Sequence, residues 1–110
     1  IMVQRGLLLD AIKRAALLTT QDSQSVKFEI LKNKIVISKS SPNIGEVREE
    51  LDTVYKGHDI TVGFNPHYIM DALKVMPQDE IALEVFGSDK PAVIRIEDWF
   101  LYLALPMQLV

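Results

Sequence analysis

The order in which hydrophobic periods follow one another constrains this chain more than any other feature. A helical period is followed by three short runs of period two; then comes a further run, a second helical period and three more runs. In residues 4–18 the apolar positions Leu8, Leu9, Ile12, Ala15 and Ala16 share one helical face, and Asp10, Lys13 and Arg14 share the other. Leu17 falls among these charges, where core packing does not explain it. Val26, Phe28 and Ile30 then alternate with Lys27 and Glu29, as in a half-buried strand. A turn around Asn33 leads to a second run at 35–38. Ser40-Ser41-Pro42-Asn43-Ile44-Gly45 is turn chemistry, and 46–55 alternates imperfectly through Val47, Leu51 and Tyr55.

Lys56-Gly57-His58 interrupts, and Ile60, Val62 and Phe64 open the second half. Asn65 is suited to cap a helix and Pro66 to occupy its first position. That helix is predicted to reach about Met76, with Ile69, Ala72, Leu73 and Met76 inward and His67, Asp71 and Lys74 outward, and to stop at Pro77. Strands are predicted at 81–86, Ala92–Ile96 and 100–105, with turns at 88–91 and 97–98. One unit used twice accounts for this order, the first copy lacking most of its opening strand. The expectation is an α+β domain over residues 1–110, with two antiparallel sheets backed by two adjacent helices, in a chain that begins in mid-protein.

The residues themselves supply little enzyme chemistry. Cysteine is absent, which removes disulfides and thiolate metal sites and suits a reducing cytosol. No apolar run is long enough to cross a bilayer as a helix, and no secretory signal is visible. His58 and His67 have neither metal-ligand spacing nor a nucleophile beside them, and no Gly-rich phosphate loop is present. A hydrolase built around His67 and Asp71, four apart on one helix face, is one alternative. A small peptide-binding adaptor is another. The net charge of −3 gives no overall attraction to nucleic acid, although a basic face remains compatible with it.

Three features carry more. Lys13, Arg14 and Lys74 lie on the polar faces of the two helices, where they form one surface if the helices are neighbours. Glu46, Glu49 and Glu50 with Arg48 make a charged strand, which from the residues alone reads as a solvated edge that discourages stray pairing. The last ten residues, Leu101-Tyr102-Leu103-Ala104-Leu105-Pro106-Met107-Gln108-Leu109-Val110, are mostly apolar, and an apolar end either packs or lines a groove.

The stretch Val62-Gly63-Phe64-Asn65-Pro66-His67-Tyr68-Ile69-Met70-Asp71-Ala72-Leu73 resembles the Gly-Phe-Asn-x-x-Tyr-hydrophobic-x-Asp-x-Leu signature of the bacterial DNA polymerase III beta sliding clamp. Ala15-Ala16-Leu17-Leu18, Asp89-Lys90-Pro91-Ala92-Val93-Ile94 and Tyr102-Leu103-Ala104-Leu105-Pro106-Met107-Gln108-Leu109 resemble further parts of that family, in its order and over nearly the whole chain. The match is to the third of three domains, with domains one and two absent. The resemblance implies a DNA-clamp fold, a duplicated strand-helix-three-strand unit, and a cytoplasmic, nucleoid-associated processivity factor without catalytic residues, metal or cofactor. Two subunits would form a homodimeric ring around duplex DNA. The polymerase III alpha subunit, the clamp-loader delta subunit and other proteins with a clamp-binding motif would dock in a groove.

Carried over residue by residue, the resemblance implies a groove wall of Asn65, Tyr68, Pro91, Leu103, Leu105, Pro106, Met107 and Gln108. Apolar anchors would supply its docking energy and a few polar groups its register. It places Leu17, Leu18, Glu46 and Glu49 at the contact between subunits, which gives Leu17 a purpose and turns the charged strand from a solvated edge into an interface. It makes Lys13, Arg14, Lys74 and Gln24 the residues that face DNA.

Overall fold

The computed structural model describes residues 1–42, 45–75, 79–87, 89–90, 92–96 and 100–104; in the last two strands only the backbone and Val93 are described. The elements are β1 (Met2–Gln4), α1 (Arg5–Ala16), β2 (Val26–Leu31), β3 (Lys34–Ser41), β4 (Gly45–Asp52), β5 (Ile60–Phe64), α2 (Pro66–Val75), β6 (Glu80–Glu84), β7 (Ala92–Ile96) and β8 (Phe100–Ala104). They form two antiparallel sheets, ordered β4-β3-β2-β5 and β1-β6-β7-β8. Each unit therefore lends its opening strand to the other's sheet. β5 pairs with β2, setting Val26 opposite Phe64, and β1 pairs with β6, setting Val3 opposite Ile81.

The first unit does carry an opening strand, three residues long, too short for periodicity to register. Its pairing is extended by two backbone bonds, from the Arg5 N–H to the Asp79 carbonyl and from the Leu83 N–H to the Ile1 carbonyl, both 2.7 Å. The remaining elements lie where the pattern predicts, with ends shifted by a few residues. β3 runs on to Ser41 because β4 pairs with it along its whole length, from Lys34–Asp52 to Ser41–Gly45. β4 stops at Asp52, and Tyr55 instead closes the far end of the β2–β3 hairpin. Asn33, at φ 59°, takes the left-handed turn position that asparagine tolerates; its N–H donates to the Tyr55 carbonyl and its Oδ1 accepts from the Tyr55 N–H.

The duplication is also written in the helices. Leu8-Leu9-Asp10-Ala11-Ile12-Lys13 begins at the fourth residue of α1, and Ile69-Met70-Asp71-Ala72-Leu73-Lys74 begins at the fourth of α2. Both read buried, buried, exposed, buried, buried, exposed. An alanine at the centre of each buried stripe lets a helix approach closely, and α1 and α2 pack side by side. Arg5, at the start of α1, donates from Nη1 to the Leu73 carbonyl near the end of α2 at 3.1 Å, so the two helices run in opposite directions. α2 starts as the residues dictate: Asn65 Oδ1 accepts the His67 N–H at 3.0 Å, with Pro66 in the first helical position.

One core joins both units. Leu8, Ile12 and Ala15 from α1, Ile69 and Leu73 from α2, Phe28, Ile30, Ile35 and Ile37 from one sheet, and Val3, Ile81 and Leu83 from the other are all buried in it. Phe28 and Phe64 meet edge to face across the β2–β5 seam, with ring centres 5.4 Å apart. The other face of the β4-β3-β2-β5 sheet is charged. There Lys34–Glu50, Arg48–Glu50 and Lys27–Glu29 pair at 3.3, 3.0 and 3.7 Å. Val36 is buried on that same face.

Candidate interaction surfaces

The two adjacent helices define the first surface. Lys13 and Lys74 are exposed at corresponding positions of the repeat, each followed on the same face by an exposed carboxylate one turn earlier, Asp10 and Asp71. Charge on this surface is therefore nearly balanced. Gln24 is also exposed, in the loop after α1. That loop is tied down from below. The Ser23 N–H donates to Thr20 Oγ1, and Lys39 Nζ reaches up from β3 to Ser23 Oγ at 2.5 Å and to the Ser25 carbonyl at 2.8 Å.

Lys39 is a residue that motif reasoning missed. It is only 7% exposed, and burial pushes its ammonium below the usual lysine range. The signal was available, since Ile35, Ile37 and Lys39 alternate onto the inward face of β3. Ser25 is buried next to it, and its Oγ has no hydrogen-bond partner among the described residues.

Arg14 does not stand with the two lysines. Its Nε and Nη2 both donate to Glu49 Oε1, at 3.0 and 2.6 Å, and this contact with Glu49 raises the guanidinium's affinity for its proton. Glu49 belongs to the inward side of edge strand β4, between half-buried Val47 and Leu51, with Ile37 opposite it. The structure thus joins two residues that the resemblance had assigned to different surfaces. Beside them a cleft of about 470 Å³ opens between α1 and β4, with Leu7 and Leu51 on its walls.

The predicted interface leucines also diverge. Leu17 is 78% exposed, whereas Leu18 is 7% exposed and packs inward, so the domain presents only the first of them. Glu46 is exposed on β4, one carboxylate along from Glu49.

Of the predicted groove wall, Tyr68 is 63% exposed and Asn65 half-buried, both at the start of α2, and α2 packs against β8. β8 carries Leu103, whose backbone pairs with Val93. Pro91, Leu105, Pro106, Met107 and Gln108 lie outside the described residues, as do Met76 and Pro77. His67 and Asp71, the centre of the hydrolase alternative, are both exposed on α2. No group of three or more His, Cys, Asp or Glu among the described residues could hold a metal ion.

Two repeats that exchange their opening strands, with their helices side by side over paired antiparallel sheets, define a clamp-type domain. The family profile for the DNA polymerase III beta subunit, C-terminal domain, matches residues 1–108. The chain belongs to that family. The beta sliding clamp of Staphylococcus aureus is 36% identical over 95 residues, which cover 84% of this chain and 25% of the relative. The crystal structure of the Thermotoga maritima DNA polymerase III beta subunit superimposes with a TM-score of 0.90 at 34% identity, covering 99% of this chain and 30% of that one. A Pseudomonas aeruginosa sliding clamp crystallised with griselimycin shares the fold, with a TM-score of 0.89 at 24% identity over 98% of this chain and 30% of that one. The chain thus spans between a quarter and a third of the length of these relatives.

Proposed function

We propose that the chain works as the third domain of a three-domain sliding clamp. Two such polypeptides close into a ring around duplex DNA and tether the replicative polymerase, the clamp loader and other proteins to it. The ring is not a catalyst. It confers processivity because a closed ring leaves duplex DNA only by opening or by sliding off an end. Strong attraction for phosphates would impede sliding, and the balanced helix surface, with Lys13 and Lys74 offset by Asp10 and Asp71, suits weak contact that ignores base sequence. The β4 edge with Glu46 and Glu49, together with exposed Leu17, would meet the next subunit. The ring would act in the cytoplasm, on the nucleoid.

Tyr68 is the observation that carries the tethering half of this reading. A large aromatic side chain stands 63% exposed at the entrance of α2, the helix that lies against β8. There it would form one wall of a groove whose other members are Asn65, Pro91, Leu103, Leu105, Pro106, Met107 and Gln108. A partner would insert a short segment with glutamine followed by leucine and an aromatic residue. The test is a titration of such a peptide against the three-domain polypeptide. Tyr68→Ala is expected to weaken binding at least tenfold, and Met107→Glu to abolish it, with folding intact by circular dichroism. Unchanged affinity in both folded variants would remove this groove from the assignment.

A further inference from the structure

Arg14 is where the internal repeat breaks. Lys13 matches Lys74 and Asp10 matches Asp71, but the next position pairs Arg14 in α1 with Val75 in α2. A cation added on one copy alone has a local task, and its geometry identifies that task. Arg14 spends two N–H groups, Nε and Nη2, on a single carboxylate oxygen, Glu49 Oε1. Among the described residues Glu49 Oε2 has no protein donor. The carboxylate is thus fixed to the helix by one oxygen and keeps the other available, on an edge strand whose outer side pairs with no strand among the described residues.

We infer that Arg14 is a positioning residue for the contact between subunits: it holds Glu49 so that Oε2 meets a cation on the neighbouring copy, and it takes no part in meeting DNA. This inference rests on the ring reading above. Without Arg14, Glu49 would sit on the inward face of β4 between Val47 and Leu51 with no charge partner, and its side chain would turn outward into solvent in several rotamers. With Arg14 in place one rotamer is selected before the partner arrives, so less ordering remains to be done on association. A bare lysine would supply the charge but not the two parallel donors.

The experiment uses the three-domain polypeptide and measures two quantities in each variant: the dimer dissociation constant by sedimentation, and the salt dependence of its affinity for a linear duplex. Arg14→Met is expected to raise the dimer constant about tenfold and to leave the salt slope unchanged. Arg14→Lys should fall between wild type and Arg14→Met in dimerisation. Glu49→Gln should weaken the dimer to a similar degree, and the double variant should be no worse than either single one, because one coupled pair is broken in all three. Lys13→Met and Lys74→Met are the references for a residue that faces DNA, each lowering the salt slope by about one. The inference is overturned if Arg14→Met lowers that slope as the lysine variants do, or if it dimerises like wild type. A wild-type polypeptide that stays monomeric at every concentration overturns the ring reading itself, and with it this inference. The wild-type measurement therefore separates the two failures.

Discussion

Arg5 holds the Leu73 carbonyl at 3.1 Å, so the first residue of one helix closes the last turn of the other. A guanidinium at a helix C-terminus satisfies an orphan carbonyl and meets the negative end of the helix dipole. Arg5→Met keeps the aliphatic stem and removes the donor. It is expected to cost about 1–2 kcal/mol in urea denaturation, with amide exchange increasing first in the last turn of α2.

Lys39 and Ser25 sit side by side and respond to substitution in opposite directions. Ser25→Ala deletes a buried hydroxyl that has no partner among the described residues and is expected to raise stability, by up to about 1 kcal/mol. Lys39→Met would remove the donor to the Ser25 carbonyl and release the loop at Ser23. The lowered lysine pKa fixes the sign with pH. The unfolded chain holds its proton up to the ordinary value of 10.5, while the native state gives it up earlier. Between those two points the unfolded state binds more protons, so stability rises with pH there relative to Lys39→Met. Thermal melts of both proteins up to pH 10.5 check this, and a difference that falls with pH would contradict the assignment.

On the outer charged face, Glu50 accepts from Lys34 and lies against Arg48, and both hold its carboxyl below the ordinary 4.5. Its contribution to stability is present above that value and is lost as pH falls through its lower native one. A carboxylate titration by NMR should give a midpoint under 4.5 in wild type and move it upward in Lys34→Met. The shift should shrink at high salt, because the group is exposed.

Leu17 and Leu18 adjoin in sequence, yet their substitutions should separate cleanly. Leu18→Ala is expected to cost about 2–3 kcal/mol of stability, as for a buried leucine. Leu17→Ala should change stability by less than about 0.5 kcal/mol while weakening self-association of the three-domain polypeptide. Chemical denaturation and sedimentation of the two variants provide both readings.

What could be read from the sequence follows from the range of each interaction. Leu8, Leu9, Ile12 and Ala15 share a face because of a local period, so α1 was legible, and Asn65-Pro66 marked the start of α2 in two residues. Local patterns carry no information about partners far away in sequence. Arg14 and Glu49 are thirty-five positions apart, and nothing near either one indicated that a helix cation would be spent on an edge strand. β1 was missed because three residues make no period, and it exists only because β6 pairs with it. Lys39 was legible in principle from the alternation of β3, but its chemistry overrode its position in the reading. The interface assignments came from family resemblance. The structure kept Leu17 at the surface and took Leu18 into the core, and of the apolar tail only the backbone of 101–104 lies among the described residues.

The exchange of opening strands has a consequence for synthesis. β5 joins a sheet whose other three strands have already emerged, so that half can close as soon as Phe64 clears the ribosome. β1 has no such companion. Val3 must wait for Ile81, and until then β1 has no strand to pair with. Translation therefore completes the two halves of this domain in order but joins them only once β6 has emerged, with β1, the earliest of the domain's strands, among the last to be secured.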